Sequence, residues 1–368
     1  MTAPGSDLGV YIHVPWCRKL CPYCDFAVEV GEPPHAAYLA AILGELALRA
    51  DRFAGELRSI YFGGGTPSLW RPDCIALAIA AVLDRFAVTE HGAIEITLEA
   101  NPTDCDDANL TAWRAAGINR ISIGVQSFEP RALVVLGRDH RFGDGRTAIA
   151  RTLAAGFTTS ADFILGVPGC AVPEFDIRPD HLSIYELTIE DRTAFGQRVR
   201  DGRLVPLDDD ALEAQYVATD HELAAAGYEH YEISSYARPG KRAVHNSLYW
   251  RGAQYLGLGV GAASLERAPD GSGVRATNPR RAHTYLADPG VAAETAAIAA
   301  RDMAVDRAWL GMRTSDGVVE DELAPARGVP EWLVDEGLAT RRDGRICPTL
   351  RGFLFADRIA ARIVQCWS

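Results

Sequence analysis

The sequence predicts an α/β protein, a partial (β/α)6 barrel followed by a small C-terminal winged-helix-like α+β domain. Over the first 190 residues, short apolar runs alternate with alanine-rich stretches that have helical spacing, the pattern of βα units around a parallel sheet. Glycine-rich or charged motifs follow these runs, as expected where loops at the strand ends carry the chemistry. From about residue 301 the composition changes, and a helix, a hairpin and a final helix are predicted.

The elements follow in a regular order. Six strands are predicted, at residues 10–14, 59–62, 94–98, 120–125, 158–165 and 181–188. Crossover helices are predicted at residues 36–49, 73–86 and 106–116, and a later helix at residues 208–226. In the C-terminal part the predictions are a helix at 303–313, a hairpin at 337–349 with a tight turn at Asp343-Gly344, and an amphipathic helix at 349–364. The chain therefore divides into a barrel (1–236), an extension (237–300) and a C-terminal domain (301–368).

The connection between the fifth and sixth strands is unusually short. Residues 169–180 include Pro173 and Pro179 and leave room for no more than about a turn or two of helix. The sequence leaves open how the barrel closes at this point.

Composition and charge limit the classes of function. The 368 residues, 48% of them hydrophobic, suffice for one large and one smaller domain. A net charge of -12 argues against broad nucleic-acid binding. No apolar run has the length of a membrane span, residues 1–9 lack a leader pattern, and the cysteines outside residues 17–24 are scattered. These features predict a cytoplasmic protein with, at most, peripheral membrane contact.

Three cysteines follow the first predicted strand. Cys17, Cys21 and Cys24 are spaced by three and then two residues, so one loop can direct three thiolates at one centre. Structural zinc requires four ligands, usually two CxxC pairs, and the sequence has no second pair. Iron-sulfur clusters are also held by thiolates, and three ligands would leave one iron of a cubane open. Buried or zinc-binding cysteines are the alternative.

With the aromatic Tyr23 before the third cysteine, this loop resembles the CxxxCx(aromatic)C motif of the radical S-adenosylmethionine (SAM) superfamily. The resemblance implies a 4Fe-4S cluster on the three cysteines, chelation of SAM by the open iron, and Tyr23 near the adenine. It also implies that backbone groups of the GGGTPS loop contact the SAM amino group. The remaining cofactor contacts that it implies are at strand positions or strand ends, at Tyr11, Gly64, Gly65, Thr66, Glu99, Gln126, Arg138 and Asp162.

Two of these implied contacts have a clear chemical rationale. Arg138 matches the residue that pairs with the SAM carboxylate, and a guanidinium can meet a carboxylate with two parallel hydrogen bonds. Asp162 is a charged residue within an otherwise apolar strand, and such a residue needs a partner.

The segment HNSLYW places His245 and Tyr249 four residues apart, on one face if it is helical. From composition alone, a core histidine is the better interpretation. The segment is similar, however, to the HNxxYW signature of HemW-type haem chaperones, which implies that His245 contacts haem. This resemblance implies a protein that binds a 4Fe-4S cluster, SAM and haem and passes haem to an acceptor protein, with an electron donor if SAM is cleaved.

Two alternatives remain within the superfamily, and the sequence leaves open whether the protein is an enzyme. An oxygen-independent coproporphyrinogen III dehydrogenase would decarboxylate propionate side chains, but that family has a further cysteine two residues after the third, where this chain has Phe26. A radical SAM methyltransferase or cyclopropanase acting on a natural product is the other alternative, and HNSLYW argues against it.

Overall fold

The computed structural model describes residues 7–88 and 94–368, so residues 1–6, part of the segment expected to lack a leader, lie outside it. The strands, in chain order, are β1 (Asp7–Val14), β2 (Trp16–Cys17), β3 (Glu29–Val30), β4 (Glu56–Gly64), β5 (Glu95–Ala100), β6 (Arg120–Gln126), β7 (Thr158–Leu165), β8 (His181–Glu186), β9 (Glu229–Glu232), β10 (Ser235–Ala237), β11 (Gln254–Gly259), β12 (Ala263–Arg267), β13 (Gly273–Thr277), β14 (Glu294–Ile298), β15 (Val318–Val319), β16 (Ala339–Arg342) and β17 (Arg345–Pro348).

The α-helices, in chain order, are α1 (His35–Arg49), α2 (Pro72–Arg85), α3 (Asp107–Ala116), α4 (Pro130–Val135), α5 (Asp144–Ala154), α6 (Ala194–Arg200), α7 (Asp209–Ala225), α8 (Val244–Trp250), α9 (Ala282–Ala287), α10 (Ala300–Gly311), α11 (Val329–Asp335), α12 (Leu350–Leu354) and α13 (Ala356–Cys366). Among the described residues, no helix combines the length and apolarity needed to cross a bilayer.

One twelve-stranded sheet forms the barrel, in the order β14-β13-β12-β11-β1-β4-β5-β6-β7-β8-β10-β9. The six predicted strands are consecutive and parallel in it, from β1 to β8, which confirms the predicted α/β fold class. A seventh parallel strand, β11, pairs with the other edge of β1. Residues 237–300, predicted as an extension, therefore continue the barrel sheet.

The first strand shows why the parallel sheet is apolar. In β1, Leu8, Val10, Ile12 and Val14 are completely buried, because helices cover one face of the sheet and neighbouring strands flank both edges. The intervening residues of β1 point into the barrel.

The crossover from β7 to β8, where the sequence leaves room for no more than about a turn or two of helix, contains no α-helix, and the sheet is nevertheless continuous there. Phe175 in this crossover is 2% exposed, and its ring packs edge-on against Phe163 with 5.2 Å between centroids. Helix α7, which comes later in the chain, also packs here, where the Gly166 amide donates to the Gln215 side chain (3.0 Å). An aromatic side chain and a later helix therefore replace the missing crossover helix.

A buried ion pair joins α1 to the seventh parallel strand. Arg49 donates to Glu45 (2.5 Å) and to the carbonyl oxygen of Gly257 (3.1 Å). The second carboxylate oxygen of Glu45 accepts from the Gly259 amide (2.9 Å), and the first also accepts from the Asn278 amide group (2.7 Å). Because the charges are paired and hydrogen-bonded, they can be buried between α1 and β11.

The C-terminal part has a hydrophobic core of its own, formed by α10, α11, α13 and the three-stranded sheet β15-β17-β16. Asp343 and Gly344 have φ values of 50° and 71°, so the hairpin turn lies where the sequence predicts it. The predicted final helix is interrupted at Phe355 and forms two helices instead of one. The arrangement is that of a small winged-helix-like α+β domain.

Candidate cofactor site

A cavity of about 570 Å³ lies at the carboxyl ends of the parallel strands, and its described lining comes from residues 17–190. All of the predicted cofactor residues line it except Tyr11 and His245. Those that line it are Cys17, Cys21, Tyr23, Cys24, Gly64, Gly65, Thr66, Glu99, Gln126, Arg138 and Asp162. The structure thus brings the strand-end motifs together around the cysteine loop.

The cysteine loop is held in place by backbone pairing. Cys17 ends β2, which pairs with β3, and a turn in which the Cys24 amide donates to the Cys21 carbonyl (3.1 Å) shapes the rest. All three cysteines are free and half-buried, and burial raises the pKa of the Cys17 and Cys24 thiols. A positively charged metal centre would favour their deprotonated form.

The donor set fits a cluster better than a single ion. Within residues 7–88 and 94–368, no group of three or more His, Cys, Asp or Glu side chains is placed to hold one metal ion. A cubane instead offers a separate iron to each of Cys17, Cys21 and Cys24. The Thr66 hydroxyl is hydrogen-bonded to the Cys17 sulfur, which favours the thiolate.

The glycine loop after β4 is fixed against the start of the cysteine loop. Gly64 has φ 114°, and a Cβ atom there would lie 2.5 Å from the ring of His13, so only glycine fits. The amides of Gly65 and Thr66 donate to the carbonyls of the β1–β2 segment (2.9 and 2.8 Å). Backbone atoms of this loop can therefore approach a ligand closely.

Two half-buried carboxyl groups line the cavity. Glu99 accepts hydrogen bonds from the Tyr61 hydroxyl (2.7 Å) and the Gly64 amide (3.0 Å), and burial raises its pKa to about 7. Asp162 accepts from the Ser122 hydroxyl with both oxygens (3.1 Å each), and burial raises its pKa to about 6. Ionised carboxylates here would be stabilised by a cationic ligand or by hydroxyl donors.

A β-bulge shapes the end of β6. The register with β7 shifts between Gly124 and Gln126, and Gln126 has φ 65°, in the left-handed region. A Cβ atom at Gly124 would lie 2.9 Å from the Gln126 side-chain nitrogen and 3.3 Å from Arg138. Gly124 and the bulge together allow both side chains to reach the cavity.

Arg138 is fixed in direction but lacks a carboxylate partner. Its Nη2 donates to the Asn101 side-chain oxygen (2.7 Å) and to the Gly124 carbonyl (3.1 Å), and its buried Nε has no hydrogen-bond partner among the described residues. A buried guanidinium with an unused donor requires an acceptor. An anionic group of a ligand, such as the carboxylate of SAM, would supply one.

The structure places His245 at the amino-terminal end of the barrel, away from the cavity. Its ring nitrogens are hydrogen-bonded to the hydroxyls of Ser59 and Tyr249 (2.8 Å each), it is 1% exposed, and burial lowers its pKa to about 3. Its own amide donates to Glu95, the first residue of β5 (2.9 Å). With both nitrogens occupied and solvent excluded, His245 cannot ligate haem iron in this arrangement, which does not support the predicted contact.

Tyr11 lies inside the barrel below the cavity. Its hydroxyl donates to His13 (3.0 Å), whose other ring nitrogen donates to the Ala27 carbonyl (2.9 Å). Tyr11 therefore supports the glycine loop through His13 and does not line the site. Sequence reasoning did not identify His13 or Asn101, although Asn101 directly follows the Glu99-Ala100 pair.

Comparison with known proteins agrees with this geometry. A parallel α/β barrel with three cysteines beside a strand-end cavity is typical of radical SAM proteins, and residues 11–171 match the model of the Radical SAM superfamily. Over 293 residues the chain is 38% identical to "Heme chaperone HemW" of Escherichia coli (strain K12), covering 76% of this chain and 75% of that protein. The chain belongs to the HemW family of haem chaperones.

A second relative and a solved structure extend the comparison. "Heme chaperone HemW" of Mycobacterium tuberculosis (strain ATCC 25618 / H37Rv) is 34% identical over 380 residues, covering 98% of this chain and 96% of that protein. The solved structure of coproporphyrinogen III oxidase (HemN) from Escherichia coli, a radical SAM enzyme, superposes with a TM-score of 0.78 at 22% identity, covering 98% of this chain and 90% of that chain. The similarity to the HemN structure shows that the two proteins share a fold.

Proposed function

We propose that the protein is a haem chaperone that holds a 4Fe-4S cluster and SAM in the cavity, binds haem, and passes it to an acceptor protein. The observation that carries the cofactor part is that three free cysteines, an arginine without a carboxylate partner and two half-buried carboxyl groups line one cavity. The haem part rests on the names of the relatives, which are haem chaperones.

In this proposal Cys17, Cys21 and Cys24 hold the cluster, with the Thr66 hydroxyl hydrogen-bonded to the first sulfur. When reduced by an electron donor, the bound cluster and SAM supply the means of reductive SAM cleavage. The protein contributes the thiolates, their orientation and a partly enclosed cavity. Nothing in a chaperone cycle requires that SAM be consumed.

The polar residues of the cavity would hold SAM in a single orientation. Arg138 would bind the carboxylate with its guanidinium. Glu99 and Asp162 would accept hydrogen bonds from the ammonium and hydroxyl groups, and Gln126 would contact the ribose. The backbone of Gly64, Gly65 and Thr66 and the ring of Tyr23, which also line the cavity, would complete the site.

The second candidate is an oxygen-independent coproporphyrinogen III dehydrogenase. It is favoured by the HemN-like fold. Phe26 argues against it, because that family carries a further cysteine at this position. Phe26 is 71% exposed at the cavity, where a thiol would have to lie.

Anaerobic reconstitution of the cluster, followed by parallel assays of haem binding and coproporphyrinogen decarboxylation, separates the two candidates. We expect stoichiometric haem binding, read by absorbance, and no decarboxylated product. A known dehydrogenase assayed in the same buffer serves as the positive control. Decarboxylation without haem binding would overturn the proposal.

We further propose that the protein works in the cytoplasm. This is supported by its cysteines, all eight of which are free, as expected in a reducing compartment. The net charge of -12 is unfavourable for binding nucleic acid, so a protein is the more suitable partner.

A further inference from the structure

The mouth of the cavity is edged by exposed apolar side chains. Leu20 and Phe26, on the cysteine loop, are 53% and 71% exposed, and both line the cavity. They therefore lie on its solvent-facing side, whereas Tyr185 of β8 lies deeper, beside Ser183 and Asp162. Single exposed apolar residues are normal, but two at one opening form a patch that indicates a binding surface.

Lys19 adds a positive charge to the same edge. It is exposed, it lines the cavity, and it forms no ion pair among the described residues. Its neighbour Arg18 is already paired with Asp104 (2.7 Å), and Arg138 lies deeper, bonded to Asn101. Lys19 is therefore the cation of this part of the lining that is available to an incoming anion.

We propose that the rim, defined as Lys19, Leu20 and Phe26, is where this protein binds haem. The inference rests on the proposed function and gives haem a location on the surface. A porphyrin is a broad, flat, apolar ring that can stack on aromatic side chains, and it carries two propionates at one edge. Leu20 and Phe26 provide the apolar contacts, and Lys19 pairs with a propionate.

The charges around the mouth also set the orientation of the ring. Glu186 and Glu190, at and beyond the end of β8, line the cavity, and Asp25 on the cysteine loop lines it too but is paired with Arg192. The carboxylates of Glu186 and Glu190 repel propionates, whereas Lys19 on the cysteine loop attracts them. The propionate edge of haem therefore lies against the cysteine loop.

Haem at the rim would cover the cavity, which distinguishes this site from one at His245. His245 is at the other end of the barrel, where its amide bonds the first residue of β5. A ring bound there would leave the cavity open. A ring bound at the rim would slow the access of small molecules to the cluster.

The test uses the full chain with its reconstituted cluster, titrated anaerobically with haem and followed by absorbance. Phe26→Ser should raise the dissociation constant about tenfold, because it removes a large apolar contact. Phe142→Ser is the matched control, since Phe142 is 64% exposed and is absent from the described cavity lining. It should bind haem like the wild type, and iron content, measured in both variants, should be unchanged.

The second experiment tests the positive charge of Lys19. Lys19→Gln should weaken haem binding about threefold and leave the affinity for haem dimethyl ester unchanged, because the ester has no propionate charge. Bound haem should also slow the removal of cluster iron by a chelator in the wild type. Normal haem affinity in both Phe26→Ser and Lys19→Gln would overturn the rim site while the proposed function stands. Failure of the wild type to bind haem would overturn the proposed function itself.

Discussion

The guanidinium of Arg138 lies against the sulfur of Cys21, with 3.6 Å between Nη1 and Sγ. The same side chain bonds Asn101 at the end of β5 and the Gly124 carbonyl in β6. Arg138 thus connects the cysteine loop to two strand ends and lines the cavity beside them. An anion that it binds would therefore lie close to the cluster that the cysteines would hold.

Replacement of Arg138 by lysine should weaken SAM binding while preserving the cluster. A lysine keeps the charge but loses the planar guanidinium and its hydrogen bonds to Asn101 and Gly124. We therefore expect the SAM dissociation constant to rise about ten- to a hundredfold. Anaerobic equilibrium dialysis with the reconstituted protein measures this. The exposed Arg141→Lys is the control, and equal SAM affinity in both variants would contradict the assigned role.

Loss of one cysteine of the loop should remove the cluster. Cys17→Ser leaves two thiolates, so we expect iron and sulfide contents after reconstitution to fall to near background. Cys170→Ser is the control, because Cys170 is also partly exposed but is absent from the described lining. A full complement of iron in Cys17→Ser would show that the three cysteines are not the ligand set.

SAM binding should strengthen as the pH rises through about 7. Burial raises the pKa of Glu99 to about 7, so its carboxyl is neutral at lower pH and becomes a carboxylate, the better partner for a cation, above it. The affinity should increase about three- to tenfold between pH 6 and pH 8, measured by titration at fixed ionic strength. Asp162, with a pKa of about 6, contributes to the lower part of this range.

Glu99→Gln provides the control for this pH dependence. The variant should bind SAM more weakly than the wild type at pH 8, and its affinity should change much less with pH. An identical pH profile in the wild type and the variant would show that Glu99 does not titrate against the ligand.

His245→Gln should reduce stability and leave haem affinity unchanged. The variant disturbs the buried hydrogen bonds to Ser59 and Tyr249, and we expect the free energy of unfolding to fall by about 1–3 kcal/mol. Urea unfolding of the cluster-free protein measures this, with the exposed His221→Gln as the control. Normal stability combined with lost haem binding would instead support the contact that the sequence predicts.

The ion pair between α1 and the seventh parallel strand should contribute strongly to stability. Glu45→Ala leaves the Arg49 guanidinium buried without its partner, so the free energy of unfolding should fall by about 3–5 kcal/mol. The exposed Glu213→Ala should change it little. A small effect of Glu45→Ala in urea unfolding would mean that water or another side chain compensates for the lost carboxylate.

The cavity could be predicted from the sequence because parallel topology brings consecutive strand ends to one edge. Glu99 and Gln126 stand at the ends of recognisable apolar runs and Asp162 lies within one, and the family resemblance pointed to these three positions. The placement of His245 could not be predicted in this way. Its partner Ser59 is 186 residues away, and helical spacing does not reveal at which end of the barrel a helix packs.

The other differences between the predicted and the observed fold also come from contacts between residues far apart in sequence. The seventh strand is a short apolar run like several others, and its pairing with β1 depends on the network around Glu45 and Arg49. The short crossover after β7 gave no sign that Phe175 would fill the space of a helix. Local patterns predict elements, whereas such packing choices are made between segments far apart in sequence.

The position of β1, between β4 and β11, has a consequence for biosynthesis. One edge of this strand lacks its partner until residues 254–259 have left the ribosome, although the cysteine loop is made long before them. The sheet beside the cysteine loop is therefore complete only after the last parallel strand has joined the first.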